Sequence, residues 1–150
     1  MADLRELYQE VILDHTKRPR NFGQLPEPSH RAEGHNPLCG DHLTVTLEIT
    51  DDCIERVLFE GSGCSISTAS ASLMTQMIAG KTTDEVSELF EKFHGAVTSS
   101  SDSAVDVAAL GKLVALAGVR GFPMRVKCAS LAWHTLVAAI RGDEEHVTTE

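Results

Sequence analysis

No apolar run in this sequence is long enough to span a bilayer. Its opening stretch, MADLRELYQEVILDH, is charged throughout and lacks the basic-then-apolar pattern of a secretory signal. Cations are scarce: Lys plus Arg total 13 against 22 Asp plus Glu, for a net charge of −9. That balance argues against nonspecific binding to nucleic acid or an anionic membrane, and leaves room for a basic protein partner. There is no internal repeat, and no pair of cysteines stands at zinc-finger spacing. Without an export signal the expected compartment is the cytoplasm. There the four thiols of Cys39, Cys53, Cys64 and Cys128 are expected to serve as metal ligands or reactive groups, not disulfides.

What is present suits one domain with a substantial core: 150 residues, 42% hydrophobic and 23% charged. Leu4, Leu7, Tyr8, Val11 and Ile12 recur at helical spacing and predict an amphipathic helix over 4–15. A loop, KRPRNFGQLPEPSH, follows and carries the main basic cluster, Lys17, Arg18 and Arg20. HLTVTLEI alternates, with Leu43, Val45, Leu47 and Ile49 on one face, and predicts a half-buried strand. TDDC turns the chain into a second strand, CIERVLFEG, and HRAEGHN is a weaker third. The rest is helical in character. One helix follows Gly63. A second starts at Thr82 or Thr83, has Glu85 and Glu88 in its early turns and ends at Gly95. A third, about 104–117, is capped by Asp102 or Ser103. The last begins near Pro123 and runs to Gly142, leaving DEEHVTTE as a frayed tail. The expected fold class is α+β: a small antiparallel sheet of about three strands, packed with an N-terminal helix and a C-terminal helical set.

Three thiols fall at the starts of elements. Cys39 lies in the turn NPLCGD, Cys64 opens a helix after GSG, and Cys128 sits in the first turns of the last helix. A helix N-terminus favours the thiolate form of cysteine. On helical spacing Cys128 shares a stripe with Ala132, Thr135 and Ala139, and Cys64 with Thr68, Ala71 and Thr75. These small neighbours predict access to both sulfurs. Asp41 is a candidate fourth ligand, with His35 and His42 as competitors. Three thiolates and a carboxylate suit tetrahedral zinc, and thiolates also suit iron. Cys53, at the start of a strand, is read as structural. Four protein ligands leave no position for a water, and no general base adjoins these motifs, which argues against a zinc hydrolase.

Taken together, NPLCGD, GSGCSISTASASLMTQMIAGKT and RVKCASLAWHTL resemble, in order and over about residues 3–142, the NifU N-terminal/IscU-like family of iron–sulfur cluster assembly proteins. IscU-type members are cluster scaffolds with a histidine directly before the last cysteine and a Pro-Pro-Val-Lys stretch read by an Hsp70-type chaperone. Here those places are Lys127 and FPMRVK, and extra residues including ELFEKFHGAVTSSS lie between Gly80 and the final helix. These features are similar to the SufU branch. That resemblance implies a zinc-dependent sulfurtransferase, with zinc held by Cys39, Asp41, Cys64 and Cys128. It also implies that Cys39 accepts persulfide sulfur from a SufS-type, pyridoxal-phosphate-dependent cysteine desulfurase and that Arg125 acts at the desulfurase interface; the sulfur then goes either to a downstream iron–sulfur scaffold complex or to a carrier for another pathway. The alternative is an IscU-type scaffold holding iron or a transient iron–sulfur cluster. A third reading is a purely structural zinc module.

Overall fold

The computed structural model describes residues 4–37, 40–99, 107–142 and 147–148. The elements run α1 (Leu4–Lys17), β1 (His30–Asn36), β2 (Asp41–Thr50), β3 (Cys53–Ser62), α2 (Ser65–Ile78), α3 (Thr83–Thr98), α4 (Val107–Leu110), a 3-10 segment (Gly111–Val119), α5 (Pro123–Arg141) and β4 (Val147–Thr148). The fold is α+β, with an antiparallel three-strand sheet flanked by helices, as expected. Among the described residues no helix is long and apolar enough to cross a membrane.

The sheet order is β3-β2-β1-β4. Asp51 and Asp52 both take left-handed φ, 52° and 61°, which makes the two-residue turn that joins β2 and β3 in register with their twist. Leu43, Val45 and Leu47 of β2 are buried as predicted, but so are Thr44 and Thr46 on the other face. The reason is the loop after α1. Leu25 N–H donates to Thr46 Oγ1 at 3.1 Å, and Phe59 exchanges backbone hydrogen bonds with Asn21 and Gly23. The loop therefore covers part of the second face and occupies the outer edge of β3. Its Arg20 is structural too: its N–H donates to Ser72 Oγ at 2.8 Å, and its guanidinium pairs with Asp14 at 2.6 Å.

Three expectations need correction. Helix α3 does not stop at Gly95 but continues to Thr98, because Gly95 lies mid-helix and needs no special backbone there. Its N-terminus is as read: Thr82 and Glu85 form a reciprocal capping box. The helix predicted over 104–117 is one α-turn followed by a 3-10 segment. Gly111 adopts φ +54°, which an α-helix cannot contain. The proposed caps Asp102 and Ser103 lie outside the described residues. Finally, Val147–Thr148 in the tail pair in parallel with Gly34 and His35 of β1, because a strand edge is a template for a further strand.

The core lies between the sheet and the helices. Trp133 of α5 is fully buried and stacks on Phe93 of α3, ring centroids 4.7 Å apart. Its indole N–H donates to Ser70 Oγ of α2 at 3.2 Å, and Ser70 donates onward to the Ala129 carbonyl at 2.6 Å. Val86, Leu89, Phe93 and Val97 of α3 are buried, so this helix builds core.

His15 is buried, with Nδ1 2.7 Å from Ser72 Oγ. Burial first, then the Arg20 charge, holds its imidazole below the ordinary 6.5. His134 is lowered by burial and by His94. The folded state thus favours neutral rings, while the unfolded chain takes up protons. This contribution is complete above the unfolded value and is lost as pH falls below it. The urea midpoint of chelator-treated protein should drop between about pH 7.5 and about pH 5.5. His15→Asn, which keeps a polar atom near the Nδ1 position, should show a shallower drop; an unchanged slope would remove His15 from this account.

Candidate metal and sulfur site

Asp41 is the first residue of β2, and its cross-strand partner on β1 is Asn36. Gly40 N–H donates to the Asn36 carbonyl at 2.8 Å, and Gly40 takes φ +72°, a conformation that favours glycine. Cys39 lies outside the described residues. The Asp41 carboxylate is fully buried. Cys64 is the N-cap of α2, with Sγ accepting the Ser67 N–H at 3.5 Å. A thiol here does what serine or aspartate does at other helix starts.

Asp41 and Cys64 meet directly. Oδ1 of Asp41 accepts the Cys64 N–H at 2.7 Å, and Oδ2 lies 3.6 Å from Cys64 Sγ. Cys128, in the second turn of α5, completes the group: one donor atom from each of Asp41, Cys64 and Cys128 lies within 4.8 Å of the others. Among the described residues this is the one cluster of three or more such groups. Cys53, Cys64 and Cys128 are all thiols, not disulfides.

One pair of these donors, Asp41 and Cys64, is spaced as two ligands of zinc would be. Zinc–sulfur and zinc–oxygen bonds of about 2.3 and 2.1 Å, at a tetrahedral angle, place sulfur and oxygen about 3.6 Å apart. That is the Cys64 Sγ to Asp41 Oδ2 separation. Bound there, zinc would hold its sulfur ligands as thiolates.

One expectation fails here. The small stripe beside Cys128 does not give access, whereas beside Cys64 the nearest stripe residue, Thr68, is only half-buried. Ala71, Thr75, Ala132, Thr135 and Ala139 are fully buried, and Cys128 itself is only 4% exposed. Small side chains are there because backbones approach closely. A Cβ on Gly34 of β1 would collide with Thr135 Oγ1 and lie 3.1 Å from Leu131 Cδ1, so α5 sits almost flush on the sheet. Cys64 is the more accessible thiol of the pair.

The competing histidines occupy another place. His35 and His42 are cross-strand partners with ring centroids 6.0 Å apart. They follow and precede the buried residues Gly34 and Leu43 by alternation, and His42 is exposed where its neighbour Asp41 is buried. Arg125 stands exposed in the first turn of α5, its guanidinium 4.8 Å above the Phe122 ring. Phe122 and Met124 are exposed as well, giving a small apolar surface one turn from Cys128. Cys53 lies apart from the cluster, its Sγ 3.5 Å from the Gly80 carbonyl.

Sequence reasoning passed over two glycines. A Cβ on Gly61 would strike the His42 carbonyl, and one on Gly63 would lie 2.5 Å from Asp41 Oδ1. The GSG run before Cys64 was the available signal, but it does not say which backbone comes close.

The comparisons agree with this architecture. Residues 7–141 match the NifU-like N terminal domain family. The chain is 42% identical over 144 residues to the zinc-dependent sulfurtransferase SufU of Bacillus subtilis, covering 95% of each chain. It is 39% identical over 152 residues to the iron–sulfur cluster assembly scaffold protein IscU of Streptococcus pyogenes, covering 100% of this chain and 94% of that one. Among solved structures it is similar to an iron–sulfur cluster assembly scaffold protein for the SUF system from Fervidobacterium islandicum. That match has a TM-score of 0.81 and 34% identity, over 92% of this chain and 99% of the other. With its sheet, its helices and its Asp41–Cys64–Cys128 cluster in this arrangement, the chain belongs to the NifU-like N-terminal domain family of iron–sulfur cluster assembly proteins.

Proposed function

We propose that this protein is a zinc-dependent sulfurtransferase, acting as one domain in the cytoplasm. It accepts persulfide sulfur on Cys39 from a pyridoxal-phosphate-dependent cysteine desulfurase and passes it on for iron–sulfur cluster assembly. Asp41, Cys64 and Cys128, with Cys39, form the zinc ligand set. The observation that carries the reading is the convergence of Asp41, Cys64 and Cys128 to within 4.8 Å of one another, with the Asp41–Cys64 pair at a spacing that suits zinc.

The chemistry is thiol exchange. The Cys39 thiolate attacks the outer sulfur of the desulfurase persulfide. The bond between the two persulfide sulfurs breaks, the desulfurase cysteine leaves as thiolate, and a persulfide forms on Cys39 with no net oxidation. Arg125, with Phe122 and Met124 beside it, offers the desulfurase a guanidinium on an apolar surface near Cys128, suited to an acidic or polar partner group. Lys127 supports the transferase over a scaffold role. It stands where scaffolds of the IscU type carry histidine, and an ammonium group has no lone pair for a metal.

The test is alanine release from L-cysteine by a cysteine desulfurase mixed with zinc-loaded protein. Wild type should raise turnover, and Cys39→Ala that retains metal should leave it at the rate of desulfurase alone. Full stimulation by Cys39→Ala would reject Cys39 as acceptor. The scaffold reading has its own support in the full-length similarity to a protein named as an IscU scaffold. A stable iron–sulfur chromophore after anaerobic reconstitution, with no stimulation of the desulfurase, would favour it.

A further inference from the structure

We infer that Gly63 is a positioning residue for the metal, because its missing side chain lets the Asp41 carboxylate divide its two oxygens between the Cys64 amide and the metal. The inference rests on the zinc reading of the site and deepens it. Oδ1 of Asp41 is engaged by the Cys64 N–H at 2.7 Å, at the N-terminus of α2, where amides point outward without helical partners. Oδ2 is the oxygen that faces Cys64 Sγ, at 3.6 Å. A metal held here would therefore be met by one oxygen of this carboxylate, whose orientation the Cys64 amide already fixes. A chelating carboxylate would need Oδ1 as well and would have to give up the amide.

Gly63 makes this arrangement sterically available. A Cβ added to it would lie 2.5 Å from Oδ1, 3.0 Å from Cγ and 3.2 Å from Cβ of Asp41. Real Cβ atoms do not tolerate the first of these distances. Relief must come from backbone or from the Asp41 side chain, and the side chain is the softer of the two. Because Asp41 is fully buried, turning it away moves the ligand oxygen and strands the Cys64 N–H. A methyl group at residue 63 thus acts on the metal through Asp41, without touching it.

The experiment is zinc affinity, by competition with a chromophoric chelator, for wild type, Gly63→Ala and Gly95→Ala. A Cβ at Gly95 meets nothing, so Gly95→Ala should bind as wild type does. Gly63→Ala should bind about tenfold or more weakly, the scale of outer-shell effects. The visible bands of its cobalt-substituted form should shift as the oxygen ligand moves. Affinity within about twofold of wild type, with an unshifted cobalt spectrum, would overturn the role of Gly63. If Gly63→Ala does not fold, the metal-free forms of Asp41→Asn and Asp41→Ala decide. Asparagine keeps an acceptor for the Cys64 N–H and alanine does not, so Asp41→Asn should melt higher. Equal melting would overturn the divided carboxylate. Wild type that binds no zinc would overturn the metal reading itself, whereas a wild type that binds zinc beside an unaffected Gly63→Ala would overturn this inference alone.

Discussion

Stripping zinc from the loaded protein should lower its melting temperature by about 10 °C, and the physical reason is where the ligands sit. Asp41 begins β2, Cys64 caps α2 and Cys128 lies in α5, so an ion bound by all three would tie a strand to two helices. Structural zinc contributes about 10–16 kcal/mol in small zinc-folded peptides. A domain that folds around its own core retains only part of that. Even about 4 kcal/mol, at about 2–4 °C per kcal/mol for a chain of this size, gives a shift of about 8–16 °C. Without metal, the donors are left with the Cys64 Sγ to Asp41 Oδ2 contact, in which a thiol proton replaces the ion. Calorimetry of zinc-loaded and chelated samples reads the difference directly. Coincident transitions would mean that the ion, if bound, ties nothing together.

Trp133→Ala should cost about 3–5 kcal/mol of folding free energy, a large part of the about 5–15 kcal/mol typical of a domain. The side chain is fully buried, stacks on Phe93 and donates to Ser70. Truncation leaves a large cavity among α2, α3 and α5 and removes the indole that links all three. Ser70 keeps its bond to the Ala129 carbonyl, so the loss is mainly one of packing. Trp133→Phe should fall between the two, since it keeps a ring for Phe93 but loses the N–H. Trp133 is the sole tryptophan, so unfolding should be followed by circular dichroism, not fluorescence. A loss below about 1 kcal/mol for Trp133→Ala would show that the helices close over the gap. The same variant should bind zinc more weakly, because α5 carries Cys128 and Trp133 sets its seat.

Much of the fold was legible because it is written in neighbouring residues. The alternation in HLTVTLEI, the doubled aspartate of the hairpin, and Thr82 with Glu85 each specify local backbone through side chains a few positions apart. The misreadings share a different feature. Gly95 looked like a helix end and Gly111 did not, yet Gly95 continues α3 and Gly111 takes a left-handed φ of 54°. Val147 and Thr148 pair with β1, which no local property of these two residues declares.

The site divides in the same way. By itself the sequence determined the donor types, their places at starts of elements, and the family whose motifs they form: thiols at residues 39, 64 and 128 and a carboxylate at 41. Only the tertiary structure decided that Asp41, Cys64 and Cys128 converge, that one Asp41 oxygen belongs to the Cys64 amide, and that the small stripe beside Cys128 is a contact surface instead of an opening. Periodicity reports which face of an element a residue occupies. It does not report how near the next element comes, because that distance is set by the side chains of both partners together, and in this protein by Gly34 of β1 packed against Thr135 of α5.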